Sequence, residues 1–563
     1  MAVENFIIRG ISHSLKKSSW QNLQILSRPP TPQTERLRFH NRKVSLRSSV
    51  KTKIDLKCTK SIEELQDETH KTLLQRALDP VSAMKLIDTL QCLGIAYHYE
   101  EEIDSWLETI SYWNAAESLQ STALRFRLLR QNAMPVSCDV FKKFMGEKKF
   151  KNSLSQDTEG LLNLYEASYL GANGEDNMSE AIKFSEGQLI KSIQGLLPND
   201  LLSRRVRRAL LLPRHLRMER LESRVYIDEY GMQIGHDSII LQQAKLDYNQ
   251  VQLLYKEELA ELSRWWKNLG LADKLSFSRN QPKECFLWAV GILPEPKYSA
   301  PRIDLAKAVA MLIVLDDVYD AHGTMDDLSL FTHAIQRWDL NAIEQLPEYM
   351  KICYMALYNT TSEIAQRVLI EQGRNIMPFL ARAWIDTIEA YMVEAQWVNS
   401  GCIPNLDRYM ENRVTTSGAY MALVHTFFLI GHGLTPQNVK LMAKPYPKIF
   451  SNSGKILRLW DDLGTSKEEQ DRGDNSSLIP LFMKERNLAK EERAREHLTR
   501  LILNEWKDLN SELVGANALP LSLVRACFNM ARTSQVIYQH QEDNYMSSVD
   551  KIFSFLIFEP LGK

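Results

Sequence analysis

Two acidic clusters carry the chemistry in this chain of 563 residues. The first, Asp316-Asp317-Val318-Tyr319-Asp320, directly follows the apolar run from Ala308 to Leu315, which reads as a buried helix. Asp316 and Asp320 are four residues apart, so their carboxylates stack on one helical face, with Asp317 beside them. Three carboxylates at the end of a buried helix repel one another and are costly to desolvate. A hard divalent cation relieves both problems, and Mg²⁺ prefers a few carboxylates together with waters and phosphate oxygens. The second cluster runs from Leu459 to Glu469, where oxygens of Asp461, Thr465 and Glu469 recur at i, i+4 and i+8 and line one stripe. That donor set suits one octahedral metal. Gly464 lies inside this helix at a propensity cost of about 1 kcal/mol, which points to packing or function at that turn. Arg458 is one turn before Asp461 on nearly the same face, where a cation can meet a bound anion. Either cluster alone also reads as a solvated acidic helix face. The two together, 141 residues apart from Asp320 to Asp461, favour metal chemistry.

The elements that must position these groups are helices. Ser61-Ile62-Glu63-Glu64 is a capping box. Asp79-Pro80 supplies an N-cap and a first-turn proline. Ala83, Leu86, Ile87, Leu90 and Leu93 follow at helical spacing, and Gly94 supplies a stop. Similar units of 10–20 residues recur to the C-terminus and strand-type alternation is scarce, so the expected fold class is all-α. The length implies two domains. The basic stretch Ser203–Arg220, with Pro213, reads as a loop that divides them. The expected division is 1–53 as a leader, 54–230 as an N-terminal domain and 231–563 as a C-terminal domain. Asn173–Asn177 reads as an exposed loop.

Composition excludes several classes. Residues 1–53 carry 11 Lys/Arg against Glu4 and Glu35, a balance of +9, so the net −1 of the whole chain leaves −10 on residues 54–563. An acidic body argues against nucleic acid as a partner. Ala308–Leu315 is far too short to span a bilayer, and no other segment does better. The leader is basic, rich in serine (eight residues) and poor in acids, the composition of an organellar transit peptide. The alternative is a basic tail on a cytoplasmic protein. Seven scattered cysteines without a CxxC pair fit reduced thiols rather than a disulfide framework or a zinc site.

The pair DDVYD and RLWDDLGTSKEEQDRGD resembles the two metal-binding motifs of plant class I terpene synthases. The segments LPRHLRMERLESRVYIDEYG, SRWWKNLGLADKL and YMVEAQWVNSG are similar to that family too, and the likeness spans roughly residues 55–563. The resemblance implies an N-terminal α-barrel of double helices and a C-terminal catalytic helical domain. It also implies three Mg²⁺ ions, with Mn²⁺ as a substitute, and a monomer acting on a prenyl diphosphate. Asp316, Asp317 and Asp320 would hold two ions, and Asp461, Thr465 and Glu469 the third. Arg458 and Arg279 would bind the diphosphate, and Trp288, with Thr415, Thr416, Ser417 and Gly418, would line the pocket. Tyr538, Asp543 and Tyr545 would belong to a closing C-terminal loop. The N-terminal domain has no DxDD sequence, so the proton-initiated cyclisation of class II relatives is not expected.

Departures from the family pattern bear on product. The family's Arg-x-Arg is Arg279-Asn280-Gln281 here, a lysine common after the Arg-Gly-Asp is replaced by Asn475-Ser476-Ser477, and no paired-arginine-x8-Trp motif follows the leader. These features resemble the subfamily that makes acyclic terpenes, which implies geranyl diphosphate converted to linalool, with farnesyl diphosphate to nerolidol in the same pocket. The competing readings are a synthase of cyclic or olefinic products (ocimene, myrcene or limonene type), a chain-elongating prenyltransferase, disfavoured by the Asp461/Thr465/Glu469 pattern, and a non-catalytic helical scaffold.

Overall fold

A computed structural model describes residues 61–562 apart from 77–78, 114–117, 198–199, 472–476, 516–518 and 540–547; at 74–76 and 467–471 only the backbone path is described. The expected leader, Cys58, Asp543, Tyr545 and the Glu469 side chain lie outside the described residues.

Helices dominate, and the one β-type pairing among the described residues is an isolated bridge between Met145 and Phe150. The first half contains α1 (Ile62–Arg76), α2 (Pro80–Leu93), α3 (Glu100–Tyr112), α4 (Leu119–Gln131), α5 (Thr158–Ser168), α6 (Asp176–Ile193), α7 (Leu201–Leu211) and α8 (Glu219–Gly231). The second half contains α9 (Ser238–Leu269), α10 (Pro282–Ile292), α11 (Ser299–Asp317), α12 (Met325–Arg337), α13 (Glu348–Gln372), α14 (Met377–Ser400), α15 (Leu406–Thr416) and α16 (Ala419–Ile430). It ends with α17 (Lys448–Asp471), α18 (Leu478–Glu485), α19 (Glu491–Val514) and α20 (Leu521–Tyr538). Shorter turns are not numbered.

The local signals act as their chemistry requires. The Ser61 backbone N–H donates to Glu64 Oε2 at 2.8 Å while Ser61 Oγ accepts from the Glu64 backbone N–H at 3.1 Å, a reciprocal capping box. Asp79 caps α2 by accepting from Val81 and Ser82, and Gly94 ends it in the left-handed conformation at φ 74°. Ser203–Arg220 departs from the loop expectation. α7 occupies most of its first half, capped by Asp200, and buries Ser203, Val206 and Ala209 at every third position. The arginines that suggested a loop are partnered on this helix instead, Arg205 by Glu159 at 3.2 Å and Arg208 by Glu229 at 2.7 Å. Only Asn173 and Gly174 of the 173–177 segment form an open turn. Glu175 is half-buried, its carboxylate bonded to Arg130, and α6 starts at Asp176.

Apolar packing runs across the two halves. α4 presents Leu124, Leu128 and Leu129 to one core, shared with α2, α8 and Tyr248, and Ala123 and Phe126 to a second that extends through the C-terminal helices. Fully burying a Leu or Phe side chain contributes about 1.5–3 kcal/mol, so such shared layers weld the halves together. At the seam His215 is buried against Trp506 and Phe528 and bonds Asn510 Oδ1 at 2.8 Å.

Close by, Glu222 pairs with Arg217 at 2.9 Å and Arg208 at 3.3 Å. Burial pushes its carboxyl up from 4.5, but the Arg217, Arg208 and Arg214 guanidiniums outweigh that and hold it down at about 2. Its stabilising contribution is therefore complete above pH 4.5 and is lost as the pH falls towards 2. Glu222→Gln is expected to cost on the order of 3–5 kcal/mol at neutral pH. It should also flatten the acid limb of a Tm-against-pH curve, and an unchanged Tm and acid limb would remove Glu222 from the account.

Candidate active site

α11 is buried on nearly all its faces, apolar over its second half, with Arg302, Asp304 and Lys307 of its first half buried in ion pairs. It ends at Asp316-Asp317 and continues as one π-type turn, Val318–His322, which carries Asp320. A helix C-terminus is the negative end of the backbone dipole, so three carboxylates there need a cation brought to them. Arg279, from the loop before α10, supplies one. Its Nε donates to Asp317 Oδ1 at 2.7 Å, its backbone N–H donates to Asp317 Oδ2 at 2.7 Å, and its Nη2 reaches Asp316. Ser278 Oγ also donates to Asp317 Oδ2, at 3.1 Å. Asp317 is thus buried and committed to holding the 278–279 loop, whereas Asp320 is exposed. Its surroundings are nonetheless protein: burial first, then the charges of Asp316 and Glu394, push its carboxyl up to about 7.

α17 packs beneath α20 and against α15 and α16, and it carries the second group. Arg458 is buried; its Nη1 meets Asp461 Oδ2 at 2.8 Å and its Nε donates to Asp462 Oδ1 at 2.8 Å. Tyr409 donates to the same Asp462 oxygen at 3.2 Å. At Asp461 burial raises the pKa, Arg458 opposes this, and the charges of Asp462 and Asp316 raise it further. The last of these means that the two acidic groups lie near enough to feel each other's charge. Thr465 Oγ1 donates to the Asp461 carbonyl at 2.9 Å. Gly464 permits the approach of α20: a Cβ there would stand 2.8 Å from the Tyr538 carbonyl and 3.0 Å from its Cβ. Tyr538 is raised well above its ordinary pKa by burial and by the Asp461 carboxylate, and its ring lies 6.2 Å from that of Trp288.

Two charged groups at the site escaped the sequence reading. Glu394 of α14 and Arg413 of α15 form an ion pair at 3.3 Å between the clusters, and Glu394 also accepts from Thr416 Oγ1 at 2.8 Å and Asn412 Nδ2 at 3.1 Å. Thr416 therefore serves Glu394 rather than standing free in the pocket. A carboxylate placed among Ala390, Tyr391 and Trp397 on a buried helix was the available signal. The break after Thr416 is real: Gly418 lies at φ 74°, and a Cβ there would overlap Leu312 of α11. Tyr391 and Tyr319 stack at 5.5 Å next to the first acidic group.

Among the described residues no three acidic, histidine or cysteine side chains converge into a ready-made metal cage; arginines stand between them. Split carboxylates with open faces, crowded enough that Asp320 and Asp461 resist ionisation, fit a hard cation that completes its shell with waters and phosphate oxygens. Such a site belongs to a metal-dependent enzyme acting on a diphosphate.

The comparisons agree. Residues 36–210 match the terpene synthase N-terminal domain, and residues 267–508 match the terpene synthase family metal-binding domain. Similar proteins include a chloroplastic monoterpene synthase of Cananga odorata, 57% identical over 89% of this chain and 85% of the relative. A chloroplastic geraniol synthase and a chloroplastic R-linalool synthase of Ocimum basilicum are each 52% identical, over 91% and 90% of this chain and 90% and 88% of those relatives. Among solved structures, isoprene synthase from grey poplar with three Mg²⁺ ions and dimethylallyl-S-thiolodiphosphate is 34% identical, with a TM-score of 0.82 over 89% of this chain and 97% of that one. Limonene synthase with 2-fluorolinalyl diphosphate is also 34% identical, with a TM-score of 0.84 over 89% of this chain and 94% of that one. The chain belongs to the terpene synthase family. It is an all-α enzyme with an N-terminal α-barrel domain and a C-terminal class I terpenoid synthase domain that uses a divalent metal.

Gly464→Ala tests the contact between α17 and α20. On helix propensity alone it gains about 1 kcal/mol, yet the clash with Tyr538 should lower Tm and reduce turnover tenfold or more by shifting the Tyr538 end of α20. Unchanged Tm and turnover would show that the two helices have slack there.

Proposed function

We propose that this terpene synthase ionises geranyl diphosphate and releases an acyclic monoterpene alcohol, linalool before geraniol. The observation that carries the ionisation is that two arginine-paired carboxylate groups lie within reach of each other's charge. Asp316 and Asp320 would hold two Mg²⁺ ions, Asp461, Thr465 and Glu469 a third, and Mn²⁺ would substitute; bound there, the metals would neutralise the diphosphate and its developing charge. The contacts of Asp317 favour a positioning role for it, through Arg279.

The chain's own residues supply the remainder. Arg279, with 46% of its side chain exposed, is free to leave Asp316 for a diphosphate oxygen while Asp317 keeps its loop in place. Arg458 is fixed by Asp462 and keeps Nη1 towards the cavity. As the allylic C–O bond breaks, the electron pair leaves with the diphosphate, towards these guanidiniums. Trp288, Tyr319, Tyr391 and Tyr538 present ring faces and edges that favour a cation and exclude bulk water. Capture of one admitted water at the tertiary carbon, its extra proton passing to the released diphosphate, gives linalool, and at the primary carbon geraniol.

The absent arginine features named above support an acyclic product, and so do the geraniol and R-linalool synthases among the relatives. The first of those relatives keeps geraniol as the alternative. A division near residue 230, plastid targeting by residues 1–53 and a monomeric state complete the reading; two of the chloroplastic relatives make the same alcohols. No described helix is long and apolar enough to cross a membrane.

Residues 54–563 incubated with Mg²⁺ and geranyl diphosphate should yield mainly linalool, with nerolidol from farnesyl diphosphate. Mainly limonene or another ring would overturn the acyclic reading. Asp316→Ala should lose Mg²⁺-dependent diphosphate release by 10²-fold or more; retention of that release would return the chain to the scaffold reading.

A further inference from the structure

A second polar cavity, of about 60 Å³, lies in the N-terminal half, between α2, α4, α5, α7 and α8. Water needs about 10–15 Å³ of such space, so the cavity holds several waters or one small polyatomic ion. Five arginines line it: Arg127 from α4, Arg205 and Arg208 from α7, and Arg214 and Arg217 from the turn that follows. Three carboxylates, Asp88, Glu166 and Glu222, face them, which leaves the lining two positive charges in excess. The other acidic partners, Glu159 and Glu229, stand behind Arg205 and Arg208, outside the lining.

The pairings do not use all the donors. Asp88 takes Arg127 Nη2 at 2.8 Å and also Arg214, and Glu222 takes Arg217 and Arg208. Arg127 has only 4% of its side chain exposed, yet its Nε and Nη1 find no partner among the described residues; the same is true of Arg208 Nε and Nη1. A buried guanidinium N–H left without an acceptor costs about 1–3 kcal/mol, more for a charged group. Waters could accept from these donors, but an acceptor rich in oxygen and negative charge meets several of them at once and offsets their charge, and planar guanidiniums match oxyanion geometry closely.

We infer that this arginine-lined cavity binds one phosphate-sized tetrahedral oxyanion, at a site separate from the carboxylate clusters. The lining has little apolar surface beyond Leu162 and Tyr226, so the ligand is the inorganic group and not a prenyl chain. Phosphate is the natural occupant to test, because its charge offsets the surplus on the lining.

Full-length enzyme in EDTA, which removes metal-dependent binding at the carboxylates, is titrated with inorganic phosphate at constant ionic strength, with chloride as control. Calorimetry should count one phosphate per chain, and Tm should rise saturably. Asn163 lines the cavity and its Nδ2 donates to the Glu159 carbonyl at 2.9 Å; Asn163→Asp gives up that bond, removes no ion pair and adds a negative charge. That variant should stay folded with a Tm slightly below wild type, and weaken phosphate binding at least tenfold. Arg208→Met, a second variant, should weaken it likewise, whereas Arg458→Gln should leave it unchanged. Three results overturn the inference: equal phosphate binding in wild type and both cavity variants, loss in Arg458→Gln alone, or no phosphate response beyond that of chloride.

Discussion

Like charges brought together at one site are the constraint on which the rest depends. Burial and the charge of Asp316 raise the pKa values of Asp320 and Glu394 on one side and Asp461 on the other, and a helix C-terminus beneath the first group adds to the repulsion. Three arginines, Arg279, Arg413 and Arg458, make the arrangement tolerable in the resting protein. Repulsion that the protein relieves only in part is what gives the site its affinity for a cation and a diphosphate together, since each ligand supplies charge of the sign the other needs.

Holding the clusters at that separation demands rigid helices at close range. Gly418 lets α11 and the break between α15 and α16 meet, and Gly464 lets α17 meet α20. Ion pairs of the N-terminal half, around Asp88 and Glu222, continue through His215 into α19 and α20, so the supporting domain is packed directly onto the helix that bears Tyr538. A domain with no DxDD sequence thereby shares the work of fixing the site's geometry.

Much of this was legible in the residues. Caps and apolar spacing marked the helices around Asp79 and Gly94, the two acidic stripes marked carboxylate groups that the fold brings near each other, and Gly464 marked a close contact. Ser203–Arg220 misled because its run of charge, with Pro213, reads as a loop, whereas here that charge is spent on carboxylates contributed by α5 and α8. The role of Asp317 was hidden for a related reason: the motif places it among metal ligands, and only the fold shows the 278–279 loop hanging from it. Glu394 and Arg413 come together from separate helices, 19 residues apart in sequence, so no local spacing reports their pairing.

The most direct test of the central claim is a crystal of the enzyme grown with Mn²⁺ and an unreactive fluorinated geranyl diphosphate, examined at the manganese absorption edge. Anomalous peaks are predicted beside Asp316 and Asp320 and beside Asp461 and Thr465, with the diphosphate between them and Arg458 at its oxygens. Peaks at one cluster only, or a diphosphate bound away from both, would contradict the account.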